Sequence, residues 1–201
     1  MNSNMKKIVS SLAVIALAFG LASCASQLDV KNPNNQTSEN FGSNESELEE
    51  AVIACYNNSR MEGTYARVGY MLDVCRGDEV WNASQVWYLP FDNLNVPSTD
   101  EIGQWVWRDW DYVINRCNFV VTKAETADLS TEAYKRLVGQ ALFLRGLAYY
   151  NIATYFQKAP LFTDYSQYAT LESIFAESAS QDDLFDQIET DLSTAMGYLP
   201  S

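Results

Sequence analysis

Gln140-Ala141-Leu142-Phe143-Leu144-Arg145-Gly146-Leu147-Ala148-Tyr149-Tyr150 reads as the middle of a long helix. Around it Leu137, Ala141, Leu144, Ala148, Ile152 and Tyr155 recur at steps of three and four and form one continuous stripe. Leu142, Leu147, Tyr149 and Ala153 widen that stripe to a second face. Gly139, Ala141, Gly146 and Ala148 are small enough for a neighbouring helix to approach closely. Thr131 is placed to cap the start, and Pro160 ends the run. A helix that buries two faces is an interior element, so partner helices are expected on both sides.

The partners are legible in both directions. A helix is predicted over roughly Asp100 to Glu125, with Ile102, Trp105, Val106, Asp109, Tyr112, Val113 and Cys117 in register. Trp105, Trp107 and Trp110 read there as core residues. Ser46 and Glu49 fit a capping box for a first helix carrying Leu48, Val52, Cys55 and Tyr56 on one face. A shorter helix follows from about Tyr65 to Arg76, and a last one from Gln181 to Tyr198. That last helix is read with Leu184, Ile188, Leu192 and Met196 inward and Asp182, Asp183 and Asp186 in solvent. The expected fold is all-α, built of stacked helix hairpins of tetratricopeptide-like type, although the tetratricopeptide consensus itself is not readable. Between Gly77 and Thr99 periodicity stops. Prolines, asparagines and interleaved aromatics predict a long irregular segment with short strands, and long loops in compact domains tend to carry function.

The chain opens with a targeting segment. Lys6 and Lys7 precede an apolar run from Ile8 to Gly20, closed by Leu21-Ala22-Ser23-Cys24. The run falls short of the roughly 20 residues a spanning helix needs, and order and flanks fit a secretory signal. A cysteine at the cleavage site resembles a bacterial lipoprotein box. Residues 1–23 are therefore read as signal, Cys24 as the acylated first residue, 24–42 as a lipid-proximal linker, and 43–201 as the folded body.

The chain has 13 basic and 26 acidic residues and no histidine. Loss of Lys6 and Lys7 leaves eleven basic groups and a net charge of −15, which repels nucleic acid and anionic headgroups. Acyl chains must then supply membrane attachment. The missing histidine removes the commonest general base and metal ligand and every Ser-His or Cys-His pair. Cys55, Cys75 and Cys117 stand in apolar helical contexts without C-x-x-C spacing, so they read as core rather than metal or redox groups.

Several short pieces, in order, resemble the starch-utilisation-system D (SusD/RagB-like) family of surface glycan-binding lipoproteins. They are Cys24 with Leu28-Asp29-Val30 and Asn32-Pro33, then Gly77-Asp78-Glu79, then Ile114-Asn115-Arg116-Cys117-Asn118, the stretch 140–150, Ala159-Pro160-Leu161, and Asp191-Leu192 with Leu199-Pro200. Gln140 and Gly146 depart from the Glu and Ala often found in the family. The resemblance covers that family's N-terminal helical region, so the chain is expected to be a fragment or a short member. It implies a mostly helical fold, no catalysis, no cofactor, and a location at the outer membrane facing the exterior. Its implied partner is a SusC-like TonB-dependent transporter.

Sugars present apolar C–H faces and hydroxyl edges. A sugar site therefore needs aromatic rings to stack on and polar side chains to take the hydroxyls. Trp81, Trp87 and Tyr88 are the candidate platforms, with Asp78, Glu79, Asn82 and Gln85 as polar partners. The competing reading folds these rings onto the helices. Two other classes stay open at this stage. One is a helical adaptor in the transporter complex without a glycan site. The other is a glycosidase using Asp78 and Glu79, disfavoured because adjacent carboxylates diverge whereas such enzymes need two about 5 to 9 Å apart across one bond. No metal site is expected.

Overall fold

The computed structural model describes residues 37, 40–80, 85–169 and 175–200, and a compact body starts at Asn40. Cys24, the signal segment and most of the expected linker lie outside the described residues. The body contains α1 (Glu45–Asn58), a π-type turn (Glu62–Ala66), α2 (Val68–Cys75), a 3-10 turn (Val86–Tyr88), α3 (Leu89–Asp92), α4 (Glu101–Ala124), α5 (Thr131–Phe156), a 3-10 turn (Tyr165–Ala169) and α6 (Gln181–Tyr198). The fold is all-α. Among the described residues there is no strand, only two isolated bridges, Asn44 with Asp128 and Ala159 with Ala179. The short strands expected between Gly77 and Thr99 are thus replaced by α3 and its preceding turn. No helix among the described residues is long and apolar enough to cross a membrane.

Neighbours run antiparallel. On α4 and α5, Trp107 meets Phe156 while Asn118 meets Arg145. On α5 and α6, Gln181 reaches the Ala153 carbonyl and Arg145 reaches Asp191. The interior position expected for α5 is observed: Leu137, Ala141, Leu144, Ala148 and Ile152 are buried, as are Tyr149 and Ala153 on the second face. α6 comes close to α5 because Gly146 has no side chain; a Cβ there would sit 3.1 Å from Leu192. Cys55, Cys75 and Cys117 are free and buried, and burial pushes the Cys117 thiol well up.

Three local expectations shift. The N-cap of α1 is Asn44, whose side chain accepts from Glu47 N, two residues before the expected Ser46. Glu47 then turns back to accept from the Gly42 and Ser43 amides, both at 2.8 Å. Asn44-x-x-Glu47 thus caps the helix one half-turn earlier, with the Glu47 carboxylate reaching past the cap to the two preceding amides. On α5 the cap is Ser130, accepting from Ala133 N, with Thr131 already helical. On α6 the inward stripe is Leu184, Ile188, Asp191 and Ala195, while Met196 is 81% exposed; burying Asp191 rotates the helix away from an all-apolar face.

That rotation has a physical cause. Arg145, in the middle of α5, lies in the core with Asp191. Its guanidinium makes a bidentate pair, Nε to Oδ2 at 2.7 Å and Nη2 to Oδ1 at 2.6 Å. Nη1 donates to Asn118 Oδ1 at 2.7 Å and to the Thr163 carbonyl at 2.8 Å. Burial alone would lower the Arg145 pKa, but the bonds to Asp191 outweigh it and the group stays firmly cationic. One side chain therefore ties α4, α5, α6 and the connection after Pro160 together. Asp191 accepts a further bond from Gln187. The sidedness is planar fork to carboxylate, which lysine cannot reproduce.

A second buried acid fixes the π-type turn. Asp109 on α4 is fully buried and accepts from Gly63 N and from Arg108 Nε, each at 2.8 Å. The turn backbone is pressed against α4 so closely that a Cβ on Gly63 would overlap the Trp105 carbonyl oxygen.

α6 begins with a full capping box. Ser180 Oγ accepts from Asp183 N, and Asp183 Oδ2 accepts from Ser180 N. Ser180→Ala is expected to cost about 1 kcal/mol, measured by urea unfolding. The Ser180 hydroxyl and amide hold the Asp183 carboxyl below its ordinary value. Its contribution is therefore complete above the unfolded value, near pH 4, and is lost as pH falls through the lower folded value.

Candidate functional site

The irregular segment begins where α2 ends. Gly77 N closes a turn onto Val74 O, and Asp78 and Glu79 are exposed. Trp81 and Asn82 lie outside the described residues. The described chain resumes at Gln85, and Trp87 is 59% exposed. Its indole N–H donates to Gln85 Oε1 at 2.7 Å, which orients the ring on the surface. Tyr88 behaves differently. It is buried, and burial pushes its hydroxyl pKa up. Its ring packs in the core, as the competing reading of the segment had it, and offers no free face. Phe91 on α3 is buried beside it.

Phe91 lines a groove of about 550 Å³, inside the range of small-ligand sites. Its walls come from four places in the sequence: Leu72 on α2 with Arg76 just after it, Phe91, Leu94 and Val96 after the 3-10 turn, Gly103 on α4, and Tyr155 and Phe156 at the end of α5. A second hollow of about 490 Å³ shares Val96, Gly103 and Phe156 and adds Asp100, Gln104 and Trp107. Gly103 leaves open space at this wall, with nothing within 4 Å of a Cβ placed there.

The aromatic wall is pre-set. Tyr155 donates its hydroxyl to Asp73 Oδ1 at 2.9 Å. Burial, then that bond, push the hydroxyl pKa upward, so it stays a proton donor. Its ring meets Phe156 edge-on at 6.5 Å, and Phe156 meets Trp107 edge-on at 5.1 Å. Such edge contacts fix ring orientation. Polar groups stand at the rim: Arg76 beside Tyr155, and Asp100 and Gln104 at the far hollow. Flat apolar faces with polar edges are the chemistry a sugar ring requires.

Of the residues singled out from sequence, Asp78, Glu79 and Trp87 lie on the surface and Tyr88 in the core. Sequence reasoning missed Leu94, Tyr155 and Phe156 as groove walls. By periodicity Tyr155 is only the last member of a core stripe and Trp107 only core, although Trp107 is half-buried and lines the second hollow. A usable signal was present: Tyr155-Phe156 directly precedes the helix stop, where a core stripe runs out into solvent.

Residues 27–201 match a SusD-like family described as starch-binding, associating with outer membrane. A SusD-like protein of Formosa agariphila is 25% identical over 97% of this chain, and the match spans 38% of that relative's length. A crystal structure of a SusD superfamily protein from Bacteroides vulgatus superposes with a TM-score of 0.73 at 26% identity, over 80% of this chain and 36% of that one. A laminarin-binding SusD-like protein gives 0.66 at 26% identity, over 78% of this chain and 34% of that one.

Proposed function

The chain belongs to the SusD-like family, and from that premise we propose that it captures oligosaccharides at the outer surface of the cell and passes them to a SusC-like TonB-dependent transporter. Cys24 carries the acyl anchor, residues 24–42 form the tether, and the antiparallel helices from residue 43 onward stack as tetratricopeptide-like units. Binding occurs without cleavage. Trp87 is the exposed stacking ring, Asp78 and Glu79 accept hydroxyls, and Trp81 and Asn82 complete the same segment. The groove walled by Tyr155 and Phe156, with the adjoining hollow lined by Trp107, continues the sugar path.

Two observations carry this reading: Trp87 is exposed and held by a hydrogen bond, and the body has a groove with an aromatic wall and a polar rim. Neither feature needs positive charge, which suits an acidic chain and a neutral sugar.

Isothermal titration of the purified protein with maltoheptaose and laminarihexaose tests it. Binding with no new reducing ends is expected. Trp87→Ala is expected to weaken the tighter of the two by about tenfold, the worth of one stacked ring. Equal affinity in that variant removes Trp87 from the site, and release of reducing ends replaces capture by hydrolysis.

A further inference from the structure

The short helix α3 ends in a Schellman turn: Asn95 N–H donates to the Pro90 carbonyl at 2.8 Å and Leu94 N–H to the Phe91 carbonyl at 3.1 Å. This turn requires a left-handed backbone at one residue, and that residue is Leu94, at φ +52°. Glycine or asparagine is the ordinary occupant, because a branched side chain is strained there. Asparagine is in fact present on both sides, at Asn93 and Asn95. Leu94 is also 71% exposed, so burial returns little of what the strain costs. Folding alone gives no reason for an aliphatic side chain at this point.

Its position supplies one. Leu94 lines the groove together with Phe91, Tyr155 and Phe156, and the turn projects it from the connecting segment rather than from a helix. Strained residues that the surrounding structure holds in place concentrate at ligand contacts. We propose that Leu94 is a specificity-determining residue of the groove, whose isopropyl group packs on the C–H face of a sugar ring lying along the Tyr155–Phe156 wall. This rests on the glycan-capture reading above. It adds that Leu94 sets the selectivity of the groove, in favour of a ring presenting an unbroken apolar face.

The test compares Leu94→Asn and Leu94→Gly with the parent protein by thermal melting and by titration with maltoheptaose and laminarihexaose. Both variants relieve the backbone, so Tm is expected to rise by about 2–4 °C. Both remove the contact, so affinity is expected to fall about fivefold. Stability and affinity moving in opposite directions is the signature of a ligand contact, which a merely structural leucine does not give. Undiminished affinity, in a parent protein that binds, overturns the role of Leu94 and leaves the capture reading standing. So does a fall in Tm, which makes the leucine a folding residue. A parent protein that binds neither sugar removes the capture reading, and this inference with it.

Discussion

Arg145→Met lowers the stability of the folded body by about 3–5 kcal/mol, the cost of leaving one partner of a buried pair uncompensated. For a body of this size that is a fall in Tm of roughly 10 °C, measured by circular dichroism at 222 nm. The loss is not one of volume, since methionine fills most of the same space. It comes from Asp191, left buried with Gln187 as its remaining donor. The Asn118 amide oxygen and the Thr163 carbonyl also lose the guanidinium. Arg145→Lys keeps the charge but not the fork, and falls between parent and methionine. Replacing both partners, Arg145→Met with Asp191→Leu, recovers part of the loss, because the orphaned carboxylate is gone. If the single methionine variant melts with the parent, the network carries no net stability and the helices are held by apolar packing alone.

Gly63→Ala is the second large effect, about 3 kcal/mol, at the upper end of overpacking costs. The added methyl overlaps the Trp105 carbonyl oxygen and would lie 2.8 Å from Asp109 Oδ2. Neither is the tip of a flexible chain: one is helix backbone, the other a fully buried carboxylate. The turn must lift off α4, which also breaks the 2.8 Å bond from Gly63 N to Asp109 and leaves that acid with Arg108 alone. Urea unfolding at neutral pH reads the change. An unshifted midpoint means that the turn relaxes freely and does not brace α1 and α2 against α4.

These two sites also mark where the sequence stops being readable. The helices were legible because their burial is periodic: Gln181 to Tyr198 is found with the ends expected, and the α5 stripe with its members buried. Caps moved by one or two residues because Asn44-x-x-Glu47 and Ser46-x-x-Glu49 are chemically equivalent patterns, and only packing chooses between them. Arg145 stands in the most family-like stretch, yet periodicity could not assign it. A charge inside an apolar stripe acquires its meaning from Asn118 and Asp191, distant in sequence and brought near only by the fold. The same holds for Met196 and Asp191, whose exchange of places follows from that ion pair. The groove is harder still. It is assembled from α2, the residues after Tyr88, the start of α4 and the end of α5, so no local window contains it. The surface acids and Trp87 could be picked from composition of a single loop, whereas Tyr88, three residues from a buried Phe91, could not be separated from core by type alone.

The connection after Pro160 has a consequence of its own. It has little repeating structure, yet the Tyr149 hydroxyl donates to the Phe162 carbonyl and accepts from the Phe162 amide. Thr122 takes the Tyr165 amide, and Gln167 takes those of Thr163 and Asp164. Side chains on two helices thus serve this strand of irregular chain as a jig serves a workpiece. Its spacing is as constrained as that of any helix: one residue added or removed there would slide the Thr163 carbonyl off its seat. An insertion has room in the surface loops, but not between Ala159 and Tyr165.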